Sequence, residues 1–95
     1  MSIQITEAAI HPHLRGRMQQ RDVTIEEMEQ AFNEGSEASC AKPGTFGRVL
    51  VFPYNAEWEG KYYPEKEVTV YYKIVEDQTI LLTVIARYGE GFLDR

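Results

Sequence analysis

Glu67-Val-Thr-Val-Tyr-Tyr-Lys-Ile-Val75, the polar Glu76-Asp77-Gln78 and then Thr79-Ile-Leu-Leu-Thr-Val-Ile-Ala-Arg-Tyr88 form the stretch that decides the fold. In the first run Val68, Val70, Tyr72 and Ile74 alternate with Thr69, Tyr71 and Lys73. A period of two places the two sets on opposite faces of a strand. The polar triplet reads as a turn. The second run is so evenly apolar that it suits a strand near the centre of a sheet. A connection of hairpin length joins antiparallel neighbours. Upstream, Arg48 to Tyr54 reads as a further strand ended by Pro53. Between the two lies Asn55 to Lys66, charged and aromatic, which is either a long loop or the extended end of a hairpin. Its Trp58, Tyr62 and Tyr63 either fold back as a hairpin core or form a contact patch for a partner.

The N-terminal half carries a different period. Ile10, Leu14 and Met18 are spaced by four and make an apolar stripe on a helix that ends near Asp22. Pro12 favours a helix start just before it, because its missing N–H is not needed in the first turn. Ser2 to Ile10 reads either as a short edge strand or as a helix beginning. Thr24-Ile-Glu-Glu27 fits a capping box, with Val23 placed for a hydrophobic staple with Met28. Ile25, Met28, Ala31 and Phe32 then share one face, and Gly35 is the stop. Ser36 to Gly47 carries small residues, with a short strand around Cys40. The segment Pro43-Gly44-Thr-Phe-Gly47 reads as a turn, since no Lys-Ser/Thr follows to make a phosphate loop. Gly89 to Arg95 is expected to fray.

Helix, helix, then strands gives one α+β domain over residues 1–95. Two N-terminal helices pack on a three- to four-stranded antiparallel sheet. An exposed edge strand near Arg48 is available to pair across a two-fold axis.

Ninety-five residues suffice for one domain, and 43% of them are apolar, an ordinary globular share. One cysteine, Cys40, excludes an internal disulfide and reads as a small buried hydrophobe. No signal peptide and no membrane-length apolar run is visible, so the chain reads as cytoplasmic and free of membrane. The net charge of −5 argues against binding nucleic acid through the whole surface. The charge is unevenly spread, however. Ala8 to Arg21 holds His11, His13, Arg15, Arg17 and Arg21 and no acid, while Asp22 to Glu37 holds six acids and no base.

His13, Arg17 and Arg21 recur every four residues and so line one helix face. Such a row matches spaced phosphates, because a planar guanidinium can hold two oxygens at once. A histidine beside it can exchange protons near neutral pH. The alternative is structural: Arg17 and Arg21 pair with Glu26, Glu27 or Glu29, and His13 bonds the helix start or a strand. His11 and His13 are two apart and no nearby Cys or Asp completes a metal set. Ser36 and Ser39 lack a nucleophile-elbow context. No cofactor is implied.

The run His13-Leu-Arg-Gly-Arg17-Met18-Gln-Gln-Arg21-Asp-Val23-Thr24-Ile-Glu-Glu27, followed by a sheet ending in Thr79-Ile-Leu-Leu-Thr83-Val84-Ile, resembles the domain-of-unknown-function 4258 family of small bacterial domains. The resemblance covers about residues 8 to 88. That family is similar in fold to RelE-type and barnase-like ribonuclease toxins, which implies a metal-independent endoribonuclease with RNA and a cognate antitoxin as partners. Carried over by position, it implicates His13, Arg17, Arg21, Arg87 and Tyr88, with His13, Arg17 and Arg87 as the expected catalytic groups and Arg21 and Tyr88 as substrate contacts; Tyr71, beside Lys73, is a further candidate for substrate binding from its place on the strand. For Tyr71, base stacking and sheet packing both remain open; Tyr72 reads as core. The competing expectation is a noncatalytic protein-interaction module with the same fold.

Overall fold

A computed structural model describes residues 4–6, 10–38 and 42–92. It contains helices α1 (Pro12–Arg21) and α2 (Ile25–Glu34), then strands β1 (Ser36–Glu37), β2 (Phe46–Trp58), β3 (Lys61–Val75) and β4 (Gln78–Gly89). The four strands form one antiparallel sheet in the order β1-β2-β3-β4. The α+β architecture read from the sequence is the one observed.

Local chemistry sets the helix ends. His11 caps α1, its Nδ1 accepting the Leu14 N–H at 3.2 Å, and Pro12 opens the first turn. The helix closes where Asp22 takes a left-handed φ of 57° and the Val23 N–H returns to the Met18 carbonyl at 2.9 Å. The capping box of α2 is complete: Thr24 Oγ1 accepts the Glu27 N–H at 3.1 Å and Glu27 Oε1 accepts the Thr24 N–H at 3.0 Å. Gly35 stops α2, but not through a left-handed backbone, since its φ is −75°. It is needed for close approach. A Cβ there would lie 2.3 Å from the Ala31 carbonyl oxygen and 2.6 Å from that of Val49.

The stripes meet over one sheet face. Ile10, Leu14 and Met18 of the first helical stretch and Met28 and Ala31 of α2 are buried together with Val68, Val70, Leu81, Val84 and Ala86. α1 lies over β4, and α2 lies over β2 and β3. Ile5 joins this core, and its N–H donates to Glu29 Oε2 at 2.8 Å. Phe32, Tyr72 and Phe46 continue it: Phe32 meets Tyr72 tilted at 4.8 Å, and Phe46 stacks on Tyr72 at 5.5 Å. By strand alternation Glu67, Thr69 and Tyr71 turn to the opposite face.

Four expectations are corrected. β2 does not end at Pro53 but runs to Trp58, and β3 begins at Lys61, so Asn55–Lys66 is the end of a long hairpin. The register breaks between Pro53 and Ala56, where Asn55 has a φ of 48°, and Pro64 lies opposite that break. Both prolines thus sit where the ladder is already interrupted, which is where a strand tolerates them. The hairpin closes from Trp58 to Lys61 over Glu59-Gly60, both at positive φ, as a two-residue hairpin turn requires. β4 is not central: among the described residues β3 is its only strand neighbour, and its apolarity serves the contact with α1. The strand near Arg48 is not an exposed edge either, because β1 pairs with it at Arg48 and Val49. The expected strand at Cys40, the environment of that cysteine and the last residues of the tail lie outside the described residues. Within the described tail, Phe92 is held: its N–H donates to Glu65 Oε1 at 2.9 Å, and the Arg87 guanidinium stands 5.4 Å above its ring.

Candidate anion-binding face on the first helix

Burial of Leu14 and Met18 against the sheet turns the opposite side of α1 outward. His13 and Arg21 are exposed there and Arg17 is partly exposed. Two shallow hollows follow one another along this side. One, of about 400 Å³, is lined by Pro12, His13, Gly16, Arg17 and Gln20. The next, of about 310 Å³, is lined by Arg17, Gln20, Arg21 and Glu59. Gly16 leaves the floor of the first open, for an added Cβ there would meet nothing within 4 Å. Arg17 is shared by both hollows, and its Nη1 lies 3.4 Å from Gln20 Oε1. The rings of His11 and His13 stack at 6.0 Å and 14°.

Two acids of α2, Glu27 and Glu29, are engaged elsewhere. Glu27 bonds the Thr24 N–H and Lys66 Nζ, the latter at 3.0 Å, and Glu29 takes the Ile5 N–H. Among the described residues, neither Arg17 nor Arg21 forms an ion pair with Glu26, Glu27 or Glu29. The face therefore carries a histidine and two arginines, and none of Glu26, Glu27 and Glu29 neutralises either arginine by contact.

The seam between α1 and the sheet is aromatic. The Tyr88 hydroxyl donates to the Arg21 carbonyl at 2.6 Å. Its ring stacks on Trp58 at 4.7 Å and 12°, meets Tyr54 edge-on at 5.2 Å and lies 5.8 Å from Tyr63. Burial raises the Tyr88 phenol above its ordinary value, and the charge of Asp22 adds to this. Tyr54 is raised for the same reasons. Beneath these rings lies Lys66, only 2% exposed. Its ammonium donates to the Asp22 carbonyl and to Glu27, and stands 5.5 and 5.6 Å from the Tyr88 and Tyr54 ring centres.

The structure thus brings together His13, Arg17 and Arg21, with Tyr88 as the fastener of their helix end. Tyr88 is not an open stacking platform, because Trp58 covers one side of its ring. It does not bring Arg87 or Tyr71 to them. Arg87 pairs in register with Glu67 and bonds its carboxylate at 3.4 Å, on the sheet face away from the helices. Tyr71 is on that same far face and packs over Gly47, where an added Cβ would lie 3.0 Å from its ring. Sequence reasoning missed Gln20, Glu59 and Lys66. Gln20 carried a signal, standing one helical turn from Arg17. So did Lys66: the alternation of Val68 and Val70 extended back by two residues makes it inward-facing. Among the described residues no three His, Cys, Asp or Glu side chains converge as metal ligands, and no helix is long and apolar enough to cross a membrane.

Comparison with protein-family models, curated proteins and solved structures finds no match. The resemblance drawn from the His13–Glu27 motif accordingly stands as an expectation, and function is argued from the face itself.

Proposed function

We propose that this chain binds the phosphate backbone of single-stranded RNA along α1, and that His13 acts as proton acceptor in a metal-independent cleavage of that backbone. The observation that carries the reading is the row His13, Arg17, Arg21 on two contiguous hollows, with both arginines left without an acidic partner among the described residues. Cations so placed gain by releasing counterions from a polyanion. A net charge of −5 on the chain confines that attraction to the local face.

In this reading Arg17, reaching both hollows, holds a phosphate, and His13 in the adjoining hollow takes the proton of a ribose 2′-hydroxyl. The 2′-oxygen forms a bond to phosphorus, the bond from phosphorus to the 5′-oxygen breaks, and that oxygen is protonated by water. A cyclic phosphate remains. Arg17 and Arg21 stabilise the charge on the phosphate oxygens. Arg87, on the other face of the sheet, takes no part.

A second reading rests on one observation: no other proton-transferring side chain lines the hollow that holds His13. It makes the same face a noncatalytic interaction surface for an acidic protein segment, the chemistry an antitoxin would offer. Incubation with single-stranded RNA in chelator, beside His13→Ala, separates the two. The enzyme reading expects cleavage that the substitution lowers at least a hundredfold, the ordinary contribution of a positioned acid or base being about 10²–10⁴. Retention of RNA without cleavage leaves binding alone, and cleavage unchanged in the variant removes His13 from the chemistry.

A further inference from the structure

The second hollow differs from the first in carrying opposite charges on its two sides. Arg17, Gln20 and Arg21 come from α1, and Glu59 comes from the tip of the β2–β3 hairpin. The tip does not hang free. Trp58, next to Glu59, stacks on Tyr88, and Tyr88 bonds the backbone of Arg21. Helix and hairpin are thereby fastened through the chain neighbour of Glu59 and the backbone of Arg21. Glu59 nevertheless makes no ion pair with either arginine among the described residues. Unlike charges thus line one shallow hollow of about 310 Å³.

Such a space suits a ligand with an anionic end and a hydrogen-bond-donating end. Resting on the RNA reading above, we infer that this hollow is a single-nucleotide subsite. Arg17 and Arg21 hold the phosphate, and the Glu59 carboxylate accepts a hydrogen bond from an exocyclic amino group of the base. A carboxylate is acceptor-only. It pairs with the amino group of cytosine and faces an oxygen where uracil carries a carbonyl. Glu59 is then a specificity-determining residue, and a costly one for any base that offers only oxygen there.

The test compares oligo(C) and oligo(U) of equal length, which differ in the amino or carbonyl group at C4 and in the proton that uracil alone carries on N3, by fluorescence anisotropy at low salt. The unaltered protein is expected to bind oligo(C) about tenfold more tightly, the lower part of the range for one base contact. Glu59→Gly is the variant, because glycine accepts the positive φ of this turn and a Gly-Gly pair suits it. It is expected to bring the ratio close to one while tightening oligo(U). An unchanged ratio in Glu59→Gly overturns the subsite, as does equal binding of the two oligomers by the unaltered protein. In both cases the RNA reading stands if Arg17→Ala with Arg21→Ala weakens binding about tenfold. Failure to bind either oligomer, or binding indifferent to the two arginines, overturns the RNA reading and the subsite with it.

Discussion

The two helices have ten residues each, adjoin in sequence and carry opposite charge, yet their charges are used differently. On α2, Glu27 closes its own capping box and holds Lys66, and Glu29 holds the N-terminal segment. On α1, Arg17 reaches only Gln20, and the side chain of Arg21 faces a hollow. Glu27 and Glu29 are absorbed by the fold, while Arg17 and Arg21 meet no acidic side chain among the described residues. Charge content alone would have ranked the helices as equals. What separates them is whether a partner from another element reaches each charge.

Breaking the α2 side should have the largest effect. Lys66→Ala removes a buried ammonium and leaves Glu27 and the Asp22 carbonyl without their partner. Chemical denaturation is expected to show a loss of about 3 kcal/mol, the usual size when one half of a buried pair is deleted. A loss under 1 kcal/mol would mean that the charges of α2 are no more structural than those of α1. The α1 side should behave in the opposite way. Arg17→Ala with Arg21→Ala is expected to change stability by no more than about 0.5 kcal/mol, as exposed substitutions do. It should also weaken oligonucleotide binding about tenfold and lower the salt slope by about 1.4, at roughly 0.7 per phosphate for single strands. On stability the seam falls between the two. Tyr88→Phe removes the bond to the Arg21 carbonyl and should cost about 1 kcal/mol.

The seam also predicts a pH limb. The Tyr88 phenol is raised in the folded chain above the ordinary 10.0, so the folded state holds its proton more tightly than the unfolded one. The associated stability is complete below about pH 10 and is lost as pH rises beyond it. Denaturation followed over this alkaline range should show a fall that is shallower in Tyr88→Phe.

Much of the fold was legible because its signals are local. Thr24-Ile-Glu-Glu27 announces a helix start by itself, and the spacing of Ile10, Leu14 and Met18 names the buried side of α1. The strand ends were harder. Pro53 and Pro64 look like terminators in isolation, and only their placement at one register break, Pro53 at its edge and Pro64 opposite it, makes both compatible with long strands. β4 looked central because its apolarity was read without knowing that α1 would cover it. In the site, the row on α1 followed from helical periodicity. Arg87 and Tyr88 could not serve the same surface, since neighbours on a strand point to opposite faces. Only Tyr88 reaches α1. Glu59 was out of reach of any local rule, because what places it beside Arg21 is the stacking of Trp58 on a residue thirty positions further along.

Lys66 has one more consequence, for how the chain reaches this structure. The turn between α1 and α2 leaves the Asp22 carbonyl pointing inward, and the donor that satisfies it arrives from β3, 44 residues later. The helix pair therefore cannot complete its own turn. Any partly folded form in which the helices have docked before β3 is in place lacks the ammonium that the Asp22 carbonyl and Glu27 share. The helical half and the sheet are bound into a single cooperative unit, and amide exchange should report one opening event for both rather than two.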